Sequence, residues 1–172
     1  VSILPVEGTD PSIIRPPGGA HVVFVEPGGV VDGIDFGNRR IEPGSIHGVK
    51  WVDANGNAER DRGEPGLPGV VIYSDLNFNG ERDRGEPHTR TMRDNPRTDF
   101  DEAGHYRLRG LRKGRHVIRE VVPDGFEQTF PPSVSILPPG GAHVVFVEPG
   151  GVVDGIDFGN RRIEPGSVHG VK

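Results

Sequence analysis

The sequence predicts an all-β protein, a sandwich or barrel of short strands. Three observations carry that expectation. Gly (27 residues) and Pro (17) are abundant, yet they fall between alternating runs such as VVIYSD and HVVFVE, where turns belong. No stretch shows a convincing helical period of 3.6. The hydrophobic share of 33% allows a small core, so something besides burial is expected to help hold the fold. Taken in order, the alternating runs place strands at 47–52, 70–75, 88–93, 105–109, 115–122, 133–137, 143–148 and 152–159.

The organisation is a repeat. PPGGAHVVFVEPGGVVDGIDFGNRRIEPGSIHGVK, Pro16 to Lys50, returns as Pro138 to Lys172 with one difference, Ile46 against Val168. The offset of 122 residues reads as a window on a tandem array. The first fifteen residues do not match their counterparts at that offset. The expected division is residues 1–40 as closing strands of a preceding repeat, 45–162 as one complete module, and 163–172 as a linker with the opening strand of the next. The joint IEPGS (Ile41 to Ser45, again Ile163 to Ser167) is short and would hold neighbours close.

Several function classes recede on composition. A formal net charge of −5 and the lack of a basic aromatic strip argue against nucleic acid. Cysteine is absent, so neither a disulfide nor a thiolate is at hand. No apolar run approaches the ~20 residues of a membrane span. The chain opens at Val1 without a signal peptide, which suggests a fragment or a processed piece.

The chemistry lies in two acidic loops. In DANGNAERDRGE, Asp53, Asn55, Asn57, Glu59, Asp61 and Glu64 occupy positions 1, 3, 5, 7, 9 and 12. In DLNFNGERDRGE, Asp75, Asn77, Asn79, Glu81, Asp83 and Glu86 fill the same positions. A calcium loop of the EF-hand type asks for oxygens there, with a backbone carbonyl at 7 and a bidentate carboxylate at 12, because a hard cation needs six to eight oxygens on a small sphere. Magnesium, which prefers octahedral, water-rich sites, fits less well. Two calcium ions per module are therefore expected, and Asp99, Asp101 and Glu102 offer an oxygen for a third or else form a solvated turn. Gly80 stands at position 6 of the second loop, where the chain turns sharply. The first loop has Ala58 there, and a left-handed Ala costs roughly 1–2 kcal/mol against Gly. These are not EF-hands, since Pro65, Gly66, Pro68 and Gly69 leave no room for a following helix. Nor is GEPGLPG collagen, because the Gly register stops at Gly69.

Other constellations are weaker. The acids sit in loops with ligand spacing and no substrate cleft is indicated, so a glycosidase pair is not expected and the protein is read as no enzyme. His116 and Glu120 lie four apart on a strand, which separates their roles from those of a helical zinc pair, and surface positions are expected for them. Arg60, Arg62, Arg82 and Arg84 interleave with the loop acids and are expected to temper their charge through exposed ion pairs.

With these residues assembled, the module resembles the B-type repeats of serine-aspartate repeat (SdrD-like) surface adhesins, within the Cna-B-like family. GVKWVDANGNAERDRGEPGLPGVVIYSD, DEAGHYRLRGLRKGRHVIREVVPDGF and DFGNRR carry the likeness across most of residues 48–162. The resemblance implies a Cna-B-type (prealbumin-like) β-sandwich, calcium in the acidic loops, and non-catalytic tandem modules in an extracellular stalk or filament. External calcium is also the abundant kind, which points to the cell surface. Partners would be neighbouring modules end to end, in the same chain or supplied by other chains through strand addition. The alternative is an adhesin module that recognises a host or matrix ligand, protein or glycan. Some relatives carry a Lys–Asn isopeptide bond formed with a buried acid. Glu120 and Asn160 match the acid and amide, but counting back from Asp53 puts Trp51 where relatives have lysine and leaves Lys50 one residue off, facing away.

Overall fold

The computed structural model describes residues 20–132 and 141–164. It divides at Arg40/Ile41 into two compact units. The second unit is an all-β sandwich of two sheets, as the strand pattern predicts. Nine strands run in order: β1 Gly44–Val52, β2 Val71–Asp75, β3 His88–Arg90, β4 His105–Leu111, β5 Gly114–Glu120, β6 Phe126–Phe130, β7 His143–Val147, β8 Val152–Val153 and β9 Phe158–Arg162. One sheet is ordered β4-β1-β9-β6, with β8 also paired to β1, and the other β3-β2-β5-β7. No helix occurs among the described residues.

β1 is the organising strand. It pairs antiparallel with β4 on one side, and on the other runs parallel to β8 at Ser45–Ile46 and to β9 at Lys50–Val52. Alternation along β1 turns Ile46, Gly48 and Lys50 toward the facing sheet. Gly48 is obligatory there, because a Cβ would lie 2.0 Å from the Ile156 carbonyl oxygen. Ile46, Ile72, Tyr106, Leu108, Leu111, Ile118, Val147 and Phe158 form the fully or almost fully buried core, and the Tyr106 hydroxyl donates to the Ile156 carbonyl.

The expected strands differ in places, and the run 88–93 is a strand only at His88–Arg90. The run 152–159 is broken at Asp154–Asp157 into β8 and β9, with Gly155 at φ 76° turning the chain. β6 at 126–130 escapes the pattern, since FEQTF is apolar only at its ends; the strand expected at 133–137 lies outside the described residues. Along GEPGLPG, turns at Arg62–Gly63 and Pro68–Gly69 flank an isolated antiparallel bridge of Gly66 to Trp51. Val52 N–H donates to the Pro65 carbonyl and Leu67 N–H to the Lys50 carbonyl, each over 2.8–2.9 Å. This strip lies against β1, and Gly66 packs so close to Ala103 that a Cβ would sit 1.9 Å from its carbonyl oxygen.

The first unit is described from Ala20. Residues 20–40 contain no strand, and Val22, Phe24, Val25, Val30 and Phe36 are exposed.

Candidate metal loops and the buried Lys50 cluster

Both acidic loops are the tips of hairpins closed by the same backbone bond. Val52 N–H donates to the Pro65 carbonyl below loop one, and Ser74 N–H to the Pro87 carbonyl below loop two, both at 2.9 Å. Within them the side chains at corresponding positions do the same things. The Glu at position 12 reaches back to the N–H at positions 2 and 9: Glu64 to Ala54 (2.7 Å) and Asp61 (3.1 Å), Glu86 to Leu76 (2.8 Å) and Asp83 (3.0 Å). The amides at 3 and 5 converge on the acid at 9, with Asn55 and Asn57 donating to Asp61 Oδ2 and Asn77 and Asn79 to Asp83 Oδ2, at 2.7 and 2.9 Å in each loop. Glu59 and Glu81 at position 7 donate their N–H groups to Asn57 Oδ1 and Asn79 Oδ1, which leaves the position-7 carbonyls without a bond inside the loop.

The turn that curls each loop uses left-handed residues at positions 4 and 6: Gly56 (φ 74°) and Ala58 (φ 64°) in one, Phe78 (φ 62°) and Gly80 (φ 82°) in the other. Ala58 does take the strained conformation its position demands, and Phe78 does the same where loop one has glycine.

Position 1 separates the loops. Asp53 is fully buried and accepts from the N–H groups of Gly56 (2.7 Å), Asn57 (3.1 Å) and Ala58 (2.9 Å). Burial alone would raise its pKa, but the nearby Thr129 hydroxyl and the N–H donors of Ala58, Gly56 and Asn57 outweigh that and hold the carboxyl below its usual value. Asp75, equally buried, shares Oδ2 between Gly80 N–H (2.9 Å) and the Arg119 Nε (2.9 Å), while its Oδ1 is buried with no hydrogen-bond partner.

The loops as described hold no converging group of three or more acidic, His or Cys side chains; their carboxylates are turned to N–H donors. The donor set still suits a hard cation, being entirely oxygen: two Asp, one Glu, two Asn and a free carbonyl per loop. The orphaned Asp75 Oδ1 is the atom such a cation would satisfy. At the third candidate, Glu102 accepts from Asn95 N–H and the Thr98 hydroxyl, and Asp101 from Ala103 N–H. These acids form their own exposed turn. The expected ion pairs of Arg60, Arg62, Arg82 and Arg84 with loop acids do not occur among the described residues; Arg82 lies instead against His88 at 3.1 Å. His116 is a buried residue, not a surface one, and contacts Ser74 Oγ (2.9 Å) and the Arg112 carbonyl (2.8 Å).

A second cluster lies in the core. Lys50 is fully buried and its Nζ stands 3.1 Å from Glu120 Oε2 and 3.3 Å from Oε1. Asn160 Nδ2 donates to the same Glu120 Oε2 at 3.2 Å, and Asn160 Oδ1 is buried without a partner. Lys50 and Asn160 come from the neighbouring parallel strands β1 and β9, and Glu120 reaches them from β5 in the other sheet. Burial lowers the Lys50 pKa to about 8 against the opposing pull of Glu120, and burial likewise raises Glu120 against the pull of Lys50. Both shifts favour the uncharged pair. The sequence-based register for Lys50 is thus corrected. Counted from Ile46, the strand's own alternation sends Lys50 inward, and Asp53, from which the other count began, already lies beyond the strand end.

No protein-family model matches the chain, and no curated protein does. Solved structures match distantly. A minor pilin of Streptococcus agalactiae is 18% identical at a TM-score of 0.43, covering 76% of this chain and 49% of that one. The shaft pilin SpaA of Lactobacillus rhamnosus GG is 12% identical at 0.42, covering 72% and 52%. A major pilin subunit of Bacillus cereus is 18% identical at 0.35, covering 69% and 29%. The likeness is one of fold. The chain spans about half the length of the first two pilins.

Proposed function

We propose that the chain is a non-catalytic, calcium-binding structural module of an extracellular stalk or filament, akin to the B-type repeats it resembles in sequence. Asp53, Asn55, Asn57, the Glu59 carbonyl, Asp61 and Glu64 would hold one ion, and Asp75, Asn77, Asn79, the Glu81 carbonyl, Asp83 and Glu86 a second. The carrying observation is the duplicated loop scheme with a buried, unpartnered Asp75 Oδ1 at its head. A bound ion supplies charge to acids that otherwise repel across a few ångströms, and it stabilises the folded form by mass action. Loop two, with the orphaned oxygen, is the tighter site.

Trp51 reports on this. It is 3% exposed, lies against Phe130 with the rings tilted by 40° at 5.6 Å, and stands two residues before Asp53. Calcium titration should change its fluorescence and raise the melting temperature, and the pair Glu64→Ala with Glu86→Ala should remove both responses. A wild-type melting curve indifferent to chelator and to millimolar calcium would sink the reading.

The Lys50 cluster supports a second proposal: an intramolecular isopeptide bond. The neutral Lys50 Nζ attacks Asn160 Cγ, and the protonated Glu120 gives its proton to the departing Nδ2 and takes one back from the attacking Nζ. A C–N bond forms as another breaks, and one ammonia leaves. Glu120 touches both of the other groups, all three are buried, and burial lowers the Lys50 pKa to about 8 and raises that of Glu120, the directions that favour a neutral nucleophile and a protonated acid. The intact chain should weigh one ammonia less than its sequence, and Asn160→Ala or Glu120→Ala should restore the full mass for its own composition. A wild-type mass without that deficit overturns the bond and leaves the calcium reading untouched.

A further inference from the structure

The chain has seven asparagines, and only Asn55 and Asn79 stand directly before glycine. Both pairs lie in the acidic loops, where the loop scheme itself brings them together. Asparagine fills positions 3 and 5, and the left-handed residues fall at 4 and 6, one of which is glycine in each loop. Loop one therefore carries Asn55-Gly56 at positions 3–4, and loop two Asn79-Gly80 at 5–6. The glycine that eases the turn also weakens the chain chemically. Without a Cβ, its backbone nitrogen can approach the preceding asparagine Cγ with the least hindrance.

Both pairs are held away from that approach, and in the same manner. Gly56 N–H donates to Asp53 Oδ1 at 2.7 Å, and Gly80 N–H to Asp75 Oδ2 at 2.9 Å. The position-1 carboxylate takes the glycine donor in each loop, although the pair sits two residues later in the second. Each asparagine is also tied at both ends of its amide. Asn55 Oδ1 accepts from Asn57 N–H (3.0 Å) and Asn79 Oδ1 from Glu81 N–H (2.8 Å). Their Nδ2 groups donate to Asp61 Oδ2 (2.7 Å) and Asp83 Oδ2 (2.9 Å). A planar peptide nitrogen committed to a carboxylate must give up that bond before it can turn on Cγ.

We propose that each loop is a self-modification site held shut by its position-1 aspartate, and that release of the glycine N–H by Asp53 or Asp75 lets the Asn-Gly pair deamidate. The glycine nitrogen bonds to the asparagine Cγ, the Cγ–Nδ2 bond breaks, and the glycine N–H proton leaves with Nδ2 as ammonia. Water then adds to either carbonyl of the five-membered imide and leaves aspartate or isoaspartate. Asn55 and Asn79 are exposed, so water reaches both. The change runs one way. A side chain that donated to Asp61 or Asp83 becomes a carboxylate facing a carboxylate, so the loop does not close again. Isoaspartate also adds one methylene to the main chain between position 1 and the glutamate at 12, whose reach to positions 2 and 9 then fails. The lock needs no metal, so this proposal stands apart from the calcium reading.

The test follows aspartate and isoaspartate at 55 and 79 by peptide mass mapping of the full chain, sampled over time at neutral pH. In urea both sites should convert at similar rates. In the folded chain both should be slower by roughly tenfold or more, the size of effect that one hydrogen bond has on a barrier. Asp75→Ala should bring Asn79 close to its urea rate and leave Asn55 slow, and Asp53→Ala should do the reverse, so that each loop serves as the folding control for the other. Equal rates in folded and unfolded wild type overturn the proposal. So does an Asp75→Ala chain in which Asn55 stays slow and Asn79 is no faster. Slower conversion there overturns it too, since the carboxylate would then be a base that assists the attack. A variant in which both sites run at the urea rate has unfolded, and the comparison of folded with unfolded wild type then decides.

Discussion

Lys50 and Ala58 show how much one side chain decides in a small β protein. The Lys50 ammonium is buried beside Glu120, and burial takes its pKa from 10.5 down to about 8. Across the window from about 8 to 10.5 the unfolded chain binds more protons at this residue than the folded one, so stability rises with pH there. In the Asn160→Ala chain, which cannot form the amide, equilibrium unfolding should show a gain on the order of 3 kcal/mol over that window. Lys50→Met in the same background should flatten it. A chain already linked through Lys50 has no amine to titrate and should be flat as well. Glu120, raised by burial, acts in the opposite sense: its contribution is present below the ordinary carboxyl range and lost as pH rises through its folded pKa. None of this was visible in the spacing of residues, because a count begun at Asp53, past the end of β1, reverses the face of Lys50. Ile46, inside the strand, carries the right count.

Among the elements, the place of the loops was the most legible, because their closure at Val52–Pro65 and Ser74–Pro87 follows from the flanking strands. Their internal strain was half legible. Glycine at position 6 announced one left-handed turn, whereas the exchange of glycine between positions 4 and 6 became clear only from the angles of Gly56, Ala58, Phe78 and Gly80. Ala58→Gly should relieve about 1 kcal/mol and raise the melting temperature by a few degrees. Phe78→Gly should give less, because Phe78 lies 5.3 Å from the Arg115 guanidinium and loses that contact. Equal gains from the two changes would mean that the Arg115 contact contributes nothing. β6 was illegible for a different reason: FEQTF is half-exposed along most of its length, so it lacks the alternating pattern that marks strands with one dry face.

For the molecule as a whole, the two sheets, the small core and the absence of helix among the described residues follow the turn-rich composition. Burial is supplemented by buried polar groups: Lys50, Asp53, Asp75, Glu120 and Asn160 all lie inside. A cross-link from Lys50 to Asn160 would close a loop on the order of a hundred residues, which in chain-entropy terms removes about 4–5 kcal/mol of freedom from the denatured state. That is comparable with the entire net stability of many domains of this size.

The parallel alignment of β1 and β9 bears on how the module would carry a pull. Force entering at Gly44 and leaving at Arg162 acts at opposite ends of adjoining strands. It therefore shears their ladder along its length and loads the bonds together, where unzipping would break them in turn. A covalent tie between those strands would carry the tension directly from one to the other and leave everything between them slack.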